Sequence, residues 1–320
     1  MGAPSYERSS PRDLVYDVAT AKNPDGSKYK LDIATNTLVT KVNFDTTGEK
    51  PKATGVDYLF GESLYRANPR ASLTEDGGIP GSVSRSREAI LYDGTFNTPQ
   101  ILKLSGVGPA DELEKFNVPV IKNLPGMGTN LQDKQTPTYL HRYELGVTAE
   151  VSSDFVLVEK CCYLADGDEC YDQYINGEGA LKGPYTIGGL AVGYFMTSSQ
   201  AEGEHDIWVG GLPAIDEIRP LDGSSFTQVW PPRNVTDDDA ALREWIAEEA
   251  WGHHASCLCP IGADGDPMAV LDSSFRVRGI DGLRVVDASA FPKVVGTFPV
   301  LSIYLMSEKS ADVILADLAA

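Results

Sequence analysis

Gly94-Thr-Phe-Asn-Thr-Pro-Gln-Ile-Leu-Lys-Leu-Ser-Gly-Val-Gly108 is the stretch on which the reading of this chain turns. It follows Ala89-Ile-Leu91, an unbroken apolar run that suits a strand buried on both faces. Thr98 offers a capping hydroxyl and Pro99 suits a first helical turn, which predicts a helix beginning near residue 98. Gly106 then supplies a left-handed stop. A buried strand feeding a helix through a tight turn indicates a mixed α/β (α+β) fold.

Upstream, Tyr29, Leu31 and Ile33 alternate with polar residues over Lys28 to Ile33, as a half-buried strand requires. Val39, Val42 and Phe44 continue the pattern, and Asp45 to Pro51 reads as a hairpin loop. Val56, Tyr58 and Phe60 form the next strand, and Ser82 to Tyr92 another. Downstream, Ala110 to Phe116 reads as a short helix burying Leu113 and Phe116, followed by the loop from Leu124 to Asp133. Periodicity weakens from about 135 to 230. Thr236 with Asp237-Asp-Asp239 marks a helix start, with Leu242, Trp245, Ile246 and Ala250 on its buried face. Pro299 to Leu318 reads as a long amphipathic helix, its apolar set being Val300, Ile303, Leu305, Met306, Val313, Ile314 and Leu318.

Composition excludes several roles. The 320 residues carry 27 Lys+Arg against 46 Asp+Glu, a formal net charge of −19, which opposes nucleic acid and anionic membrane partners. No apolar run reaches the roughly 18 residues of a spanning helix. The polar first residues show no secretory signal, which leans toward a cytoplasmic chain. Of the five cysteines, Cys161, Cys162 and Cys170 lie together, as do Cys257 and Cys259 beside His253 and His254. A bridge from Cys170 to Cys161 or Cys162 is one reading and free thiols the simpler one. One C-x-C beside two histidines is too little for zinc, so no metal is expected.

The stretch from Gly94 to Gly108 resembles the second signature of the glucose–methanol–choline (GMC) oxidoreductases. Pro125-Gly-Met-Gly-Thr-Asn-Leu-Gln-Asp133 resembles the loop that follows that signature, and His254 to Gly262, Leu283 to Ser289 and Ser307 to Ile314 resemble the family's C-terminal block. The resemblance anchors residues 28–133 and 235–318. It implies an FAD-dependent enzyme that oxidises CH–OH groups, with His254 as the base that takes the hydroxyl proton. It also implies cofactor contacts at Val39, Asn97, Thr98, His253, Asp287, Ala288, Thr297 and Pro299. On this basis residues 1–134 and 235–320 are the remnant of an incomplete flavin-binding domain of the GMC type. Residues 135–234 are then a shortened substrate-facing lobe, whose aromatics Tyr185, Tyr194 and Phe195 suit a small organic substrate.

The chain also departs from the family pattern. There is no strand–G-x-G-x-x-G–helix unit for the pyrophosphate, and Gly126-Met-Gly128-Thr-Asn-Leu131 lacks the third glycine. This predicts that the family's N-terminal Gly-rich unit is absent and that a partner chain or homodimer contact covers the sheet face it would leave. The position of the family's catalytic partner falls on Phe298, which cannot share a proton. The Ala-Gly expected before the second signature is Asp93-Gly94. Three readings follow: a truncated or split flavin oxidoreductase, a flavin-free lyase, isomerase or cyclase using His254 as acid/base, and a non-catalytic scaffold protein.

Overall fold

The computed structural model describes residues 10–71, 77–133, 254–295 and 298–319 continuously. Between 134 and 253 it describes 148–151, 169–177, 192–197, 199, 207–211, 226–230, 235 and 237–249. The elements run α1 (Pro11–Thr20), β1 (Thr37–Asp45), β2 (Lys52–Phe60), β3 (Ile79–Ser84), β4 (Ala89–Leu91), α2 (Gly94–Leu104) and β5 (Val107–Gly108). Next come α3 (Ala110–Lys115), β6 (Lys122–Asn123), β7 (Thr148–Val151), α4 (Glu169–Asn176), β8 (Val192–Met196), β9 (Ile207–Gly211) and β10 (Phe226–Trp230). The series closes with α5 (Asp239–Glu249), β11 (Leu283–Val285), a 3-10 turn (Ala288–Ala290) and α6 (Pro299–Ala319). Mixed α/β is the observed class.

The chain divides into two compact units, residues 34–144 with 251–320 and residues 1–33 with 145–250. In the first unit, β1, β2 and β3 form an antiparallel sheet in that order. Val42 opposite Val56 and Val39 opposite Tyr58 set its register. This is the alternation expected from the sequence, with the loop between Asp45 and Lys52 where the polar run placed it. Ser82 to Tyr92 is not one strand. It turns at Arg85, whose N–H bonds to Thr54 O, and resumes as β4. β4 pairs in parallel with β11, Leu91 opposite Val285, so two distant parts of the chain share one ladder.

The core behind these elements contains Leu102, Val107, Met127, Val270, Leu271, Leu283 and Val285, each at most 1% exposed. Two glycines let loops approach it. A Cβ at Gly126 would stand 1.9 Å from Met268 O. Gly106 has φ +83, the predicted left-handed stop of α2. Arg284, 3% exposed, binds Glu88 Oε2 through Nε at 2.7 Å and Ser274 O through Nη1 at 2.6 Å, and its Nη2 pairs with Asp317 on α6. Its ion pairs tie β11 to the far end of α6, and Arg276 reaches the same Asp317 carboxylate at 2.5 Å.

In the second unit, α1 opens with a reciprocal capping box between Ser10 and Asp13. β7 pairs with β10 and β8 with β9, both antiparallel. Lys28 to Ile33 does not form the expected strand: Lys28 makes one bridge to Lys22, and Tyr29, Leu31 and Ile33 stay exposed. The alternation is present there but finds no ladder to join, and a strand needs pairing as well as pattern. The expected start of the helix at Thr236 is also shifted. The helix, α5, begins at Asp239, and Asp238 Oδ1 caps it by accepting from Ala240 N at 2.8 Å and Ala241 N at 3.1 Å.

Two further burial expectations fail. Phe116, one residue past α3, is 73% exposed, because α3 ends at Lys115 with Leu113 alone turned into the core. Along α6, Met306 is buried and Ile303 packs on the core, but Val300, Leu305 and Leu318 face solvent. Cys170 on α4 is disulfide-bonded, so the free-thiol expectation fails for it, whereas Cys257 and Cys259 are free and buried. Among the described residues, no helix is long and apolar enough to cross a membrane.

Candidate active site

Four segments of the unit made of residues 34–144 and 251–320 converge at the start of α2. They are that helix, the loop ending at Asp133, the segment from His254 to Cys259, and the 3-10 turn after β11. Asp287 joins two of them, α2 and the 3-10 turn. Its Oδ2 accepts from the Thr98 hydroxyl at 2.6 Å and Gly94 N at 3.2 Å, and its Oδ1 accepts from Ser289 N at 2.8 Å. The Thr98 hydroxyl also accepts from Asp93 N at 3.0 Å.

These bonds explain why the helix does not begin where Thr98-Pro99 predicted. The Thr98 hydroxyl is committed to Asp287 rather than to a cap, α2 begins at Gly94, and Pro99 lies inside it. Thr95 then fastens the helix to the next segment, its hydroxyl donating to Ala255 O at 2.7 Å.

His254 is buried at 9% exposure, and its backbone N–H donates to Asp133 Oδ1 at 3.0 Å. The following residues make an antiparallel bridge between Ser256 and Gln132. Gln132 Oε1 accepts from Val294 N at 3.0 Å, which ties the same loop to the approach of α6. The Phe298 ring meets the His254 imidazole edge-on, with centroids 5.5 Å apart and planes at 89°. Residue 298 thus lies against the histidine, and its phenyl ring carries no group that can share a proton. Pro299 is buried at the head of α6.

The other sequence-derived positions fall as follows. Ala288 is partly buried and its carbonyl accepts from Cys257 N at 3.0 Å. Val39 is partly buried on β1, beside an irregularity between Val39 and Lys41. Asn97 is exposed on α2, and Thr98 is fully buried behind Asp287. His253, Thr297 and Tyr185 lie outside the described residues, and Tyr194 and Phe195 belong to β8. Sequence reasoning missed Asp133 and Gln132 as the anchors of the histidine segment. Both end the loop quoted above, but no spacing rule marks them as its hydrogen-bond partners.

The electrostatics are uneven. Although solvent reaches much of Asp93, the protein enclosing its carboxyl, followed by the Asp287 charge, raises its proton affinity. Burial pushes the Cys257 thiol up to about 11 and the Cys259 thiol up to about 12. Neither is a thiolate at neutral pH, so neither is primed as a nucleophile.

The residues present suit a flavin dinucleotide at one point in particular. Gly94 has φ +85, and a Cβ built there meets nothing within 4 Å. A ligand can therefore approach the backbone at the positive end of an 11-residue helix, which is favourable for phosphate. Asp93 beside it is the discordant group.

Comparison with known proteins gives these features a family. Two family models, both described as GMC oxidoreductase, match residues 16–136 and 213–307. The N-terminal match begins at residue 16, inside α1, so the expectation that the family's N-terminal unit is absent is corrected. That expectation leaned on the glycine fingerprint alone, and the match extends to polar residues that carry no motif. Versicolorin B synthase of Emericella nidulans is 27% identical, over 89% of this chain and 52% of its own length. Human mitochondrial choline dehydrogenase is 28% identical, over 91% of this chain and 55% of its own. The chain thus spans about half the length of the curated relatives it matches. Among solved structures, an FAD-dependent oxidoreductase from Chaetomium thermophilum superposes with a TM-score of 0.64 at 20% identity, covering 92% of this chain and 63% of that one. Formate oxidase of Aspergillus oryzae gives 0.65 at 16% identity, covering 88% and 60%. At these identities the structures establish a shared fold.

Proposed function

Since the chain belongs to the GMC oxidoreductase family, we propose that it serves an FAD-dependent oxidation of a CH–OH group in a small organic substrate, with His254 as the base. The observation that carries this is the placement of His254. It is buried, its backbone is fixed by Asp133, and it stands against residue 298 at the head of α6. A fixed imidazole can take the hydroxyl proton onto a ring nitrogen near neutral pH. The flavin, when bound, supplies the acceptor for the hydride that leaves carbon. Gly94 and the backbone around Asp287 and Ala288 would hold its phosphate and ribityl portion, with Val39 toward the adenine. The Thr98–Asp287 bond keeps the α2 start in place.

A second reading has its own observation. Phe298 gives His254 a hydrocarbon edge where a proton-sharing group is implied, which favours acid/base chemistry on one histidine without hydride transfer. Such a site suits a lyase, isomerase or cyclase.

One experiment tests both. The purified chain is saturated with FAD, its absorbance spectrum is recorded, and turnover is assayed on a panel of alcohols beside His254→Ala. The first reading expects flavin absorbance and a loss of about 10²- to 10⁴-fold in kcat in the variant, with flavin content unchanged. Turnover by a colourless protein that the variant loses supports the second reading. A variant as active as the parent removes His254 from either mechanism.

A further inference from the structure

We infer that Gln132 is a positioning residue of the candidate site: its side-chain amide fixes the segment leading into α6, so that residue 298 lies against His254. The kinetic consequence rests on His254 acting as the base, as proposed above, whereas the geometric one does not.

The loop ending at Asp133 is bonded to both segments that carry this pair. Toward the histidine it uses main chain and one carboxylate. Ser256 N donates to Gln132 O at 2.8 Å and Gln132 N to Ser256 O at 3.2 Å. Asp133 Oδ1 accepts from His254 N at 3.0 Å. Toward α6 it uses two side-chain amides. Gln132 Oε1 accepts from Val294 N at 3.0 Å, and Asn130 Nδ2 donates to Pro292 O at 3.2 Å. Gln132 Nε2 donates to Asn130 Oδ1 at 2.9 Å, so one amide orients the other.

Val294 is buried, and Phe298 follows it by four positions. Without the Gln132 acceptor, a buried N–H loses its partner, a cost that a shift of the segment toward water relieves. The Phe298 ring is 38% exposed, so packing holds it only in part and the backbone that carries it must be fixed. A displaced segment therefore takes the ring away from the imidazole, whose centroid now lies 5.5 Å from it. A base works only where its nitrogen meets the hydroxyl within about 3 Å, and the neighbouring ring limits where a substrate can stand.

The test reads the imidazole itself. The chain has four histidines, few enough to resolve their ring C–H signals by NMR and to identify that of His254 by its loss in His254→Ala. A phenyl ring this close displaces the signal, and Phe298→Leu should remove that displacement. Gln132→Leu should move the signal the same way, and no further when Phe298 is already leucine. Asn130→Ala, at a partly exposed position, should move it less and takes over if Gln132→Leu does not fold. Gln132→Glu keeps an acceptor for Val294 N and should keep the parent's signal. With FAD and an alcohol that is turned over, Gln132→Leu should lower kcat about tenfold while KM stays within about twofold, and Gln132→Glu should recover most of the loss. A lower melting temperature with an unmoved His254 signal marks a merely structural clip and overturns the inference. So does a signal that ignores Phe298→Leu, a shift equally large without Phe298, or an unchanged kcat beside a displaced signal. If no alcohol is oxidised, the oxidation reading falls, and the imidazole signal still decides the role of Gln132.

Discussion

Behind the candidate site, a Cβ at Gly126 would stand 1.9 Å from Met268 O, and Arg284 is buried between Glu88, Ser274 and Asp317. The front, by contrast, is the exposed apolar set of Phe96 on α2 and Val300 and Leu301 on α6. The rear holds backbone to backbone at Gly126, while the front presents apolar side chains that are more than half exposed. Close packing and exposed apolar surface are here divided between two regions of one unit, and each should answer mutation differently.

The largest effect belongs to the rear. Gly126→Ala forces a methyl carbon into a backbone carbonyl, so the loop from Leu124 to Asp133 must shift. Urea denaturation should show a loss of about 3 kcal/mol. A neutral result would mean that the two loops separate easily and that the rear is no tighter than the front. Arg284→Ala comes next. It leaves Glu88 and Asp317 without their shared cation, and because Asp317 is partly exposed the expected cost is about 2 kcal/mol, less than for a fully buried pair. Protease cleavage should rise in α6, whose far end the arginine holds. At the front, Leu301→Ala should change stability by less than about 0.5 kcal/mol. A cost above about 1 kcal/mol would show that α6 packs its exposed face against something, which would break the contrast.

Much of the fold was legible because pattern and partner coincide. Val39, Val42, Val56 and Tyr58 alternate in the sequence and pair across β1 and β2. Tyr29, Leu31 and Ile33 alternate equally well and form no strand, since periodicity reports a face and says nothing of a neighbour. Thr98-Pro99 misled for a related reason. A hydroxyl beside a proline looks like a cap locally, but the acceptor that claims it is Asp287, 189 positions away. In the site, His254 and residue 298 were legible only through resemblance to a family. Asp133, which holds the histidine backbone, needed the folded geometry.

The parallel pairing of β4 with β11 bears on how the polypeptide is made. Ala89 to Leu91 leaves the ribosome long before Leu283 to Val285, with residues 145–250 of the second unit synthesised between them. At the usual rate of roughly 5–20 residues per second, that interval lasts about 10 to 40 s. Throughout it, an apolar edge waits for a complement that does not yet exist, so the nascent chain is a natural client for chaperones.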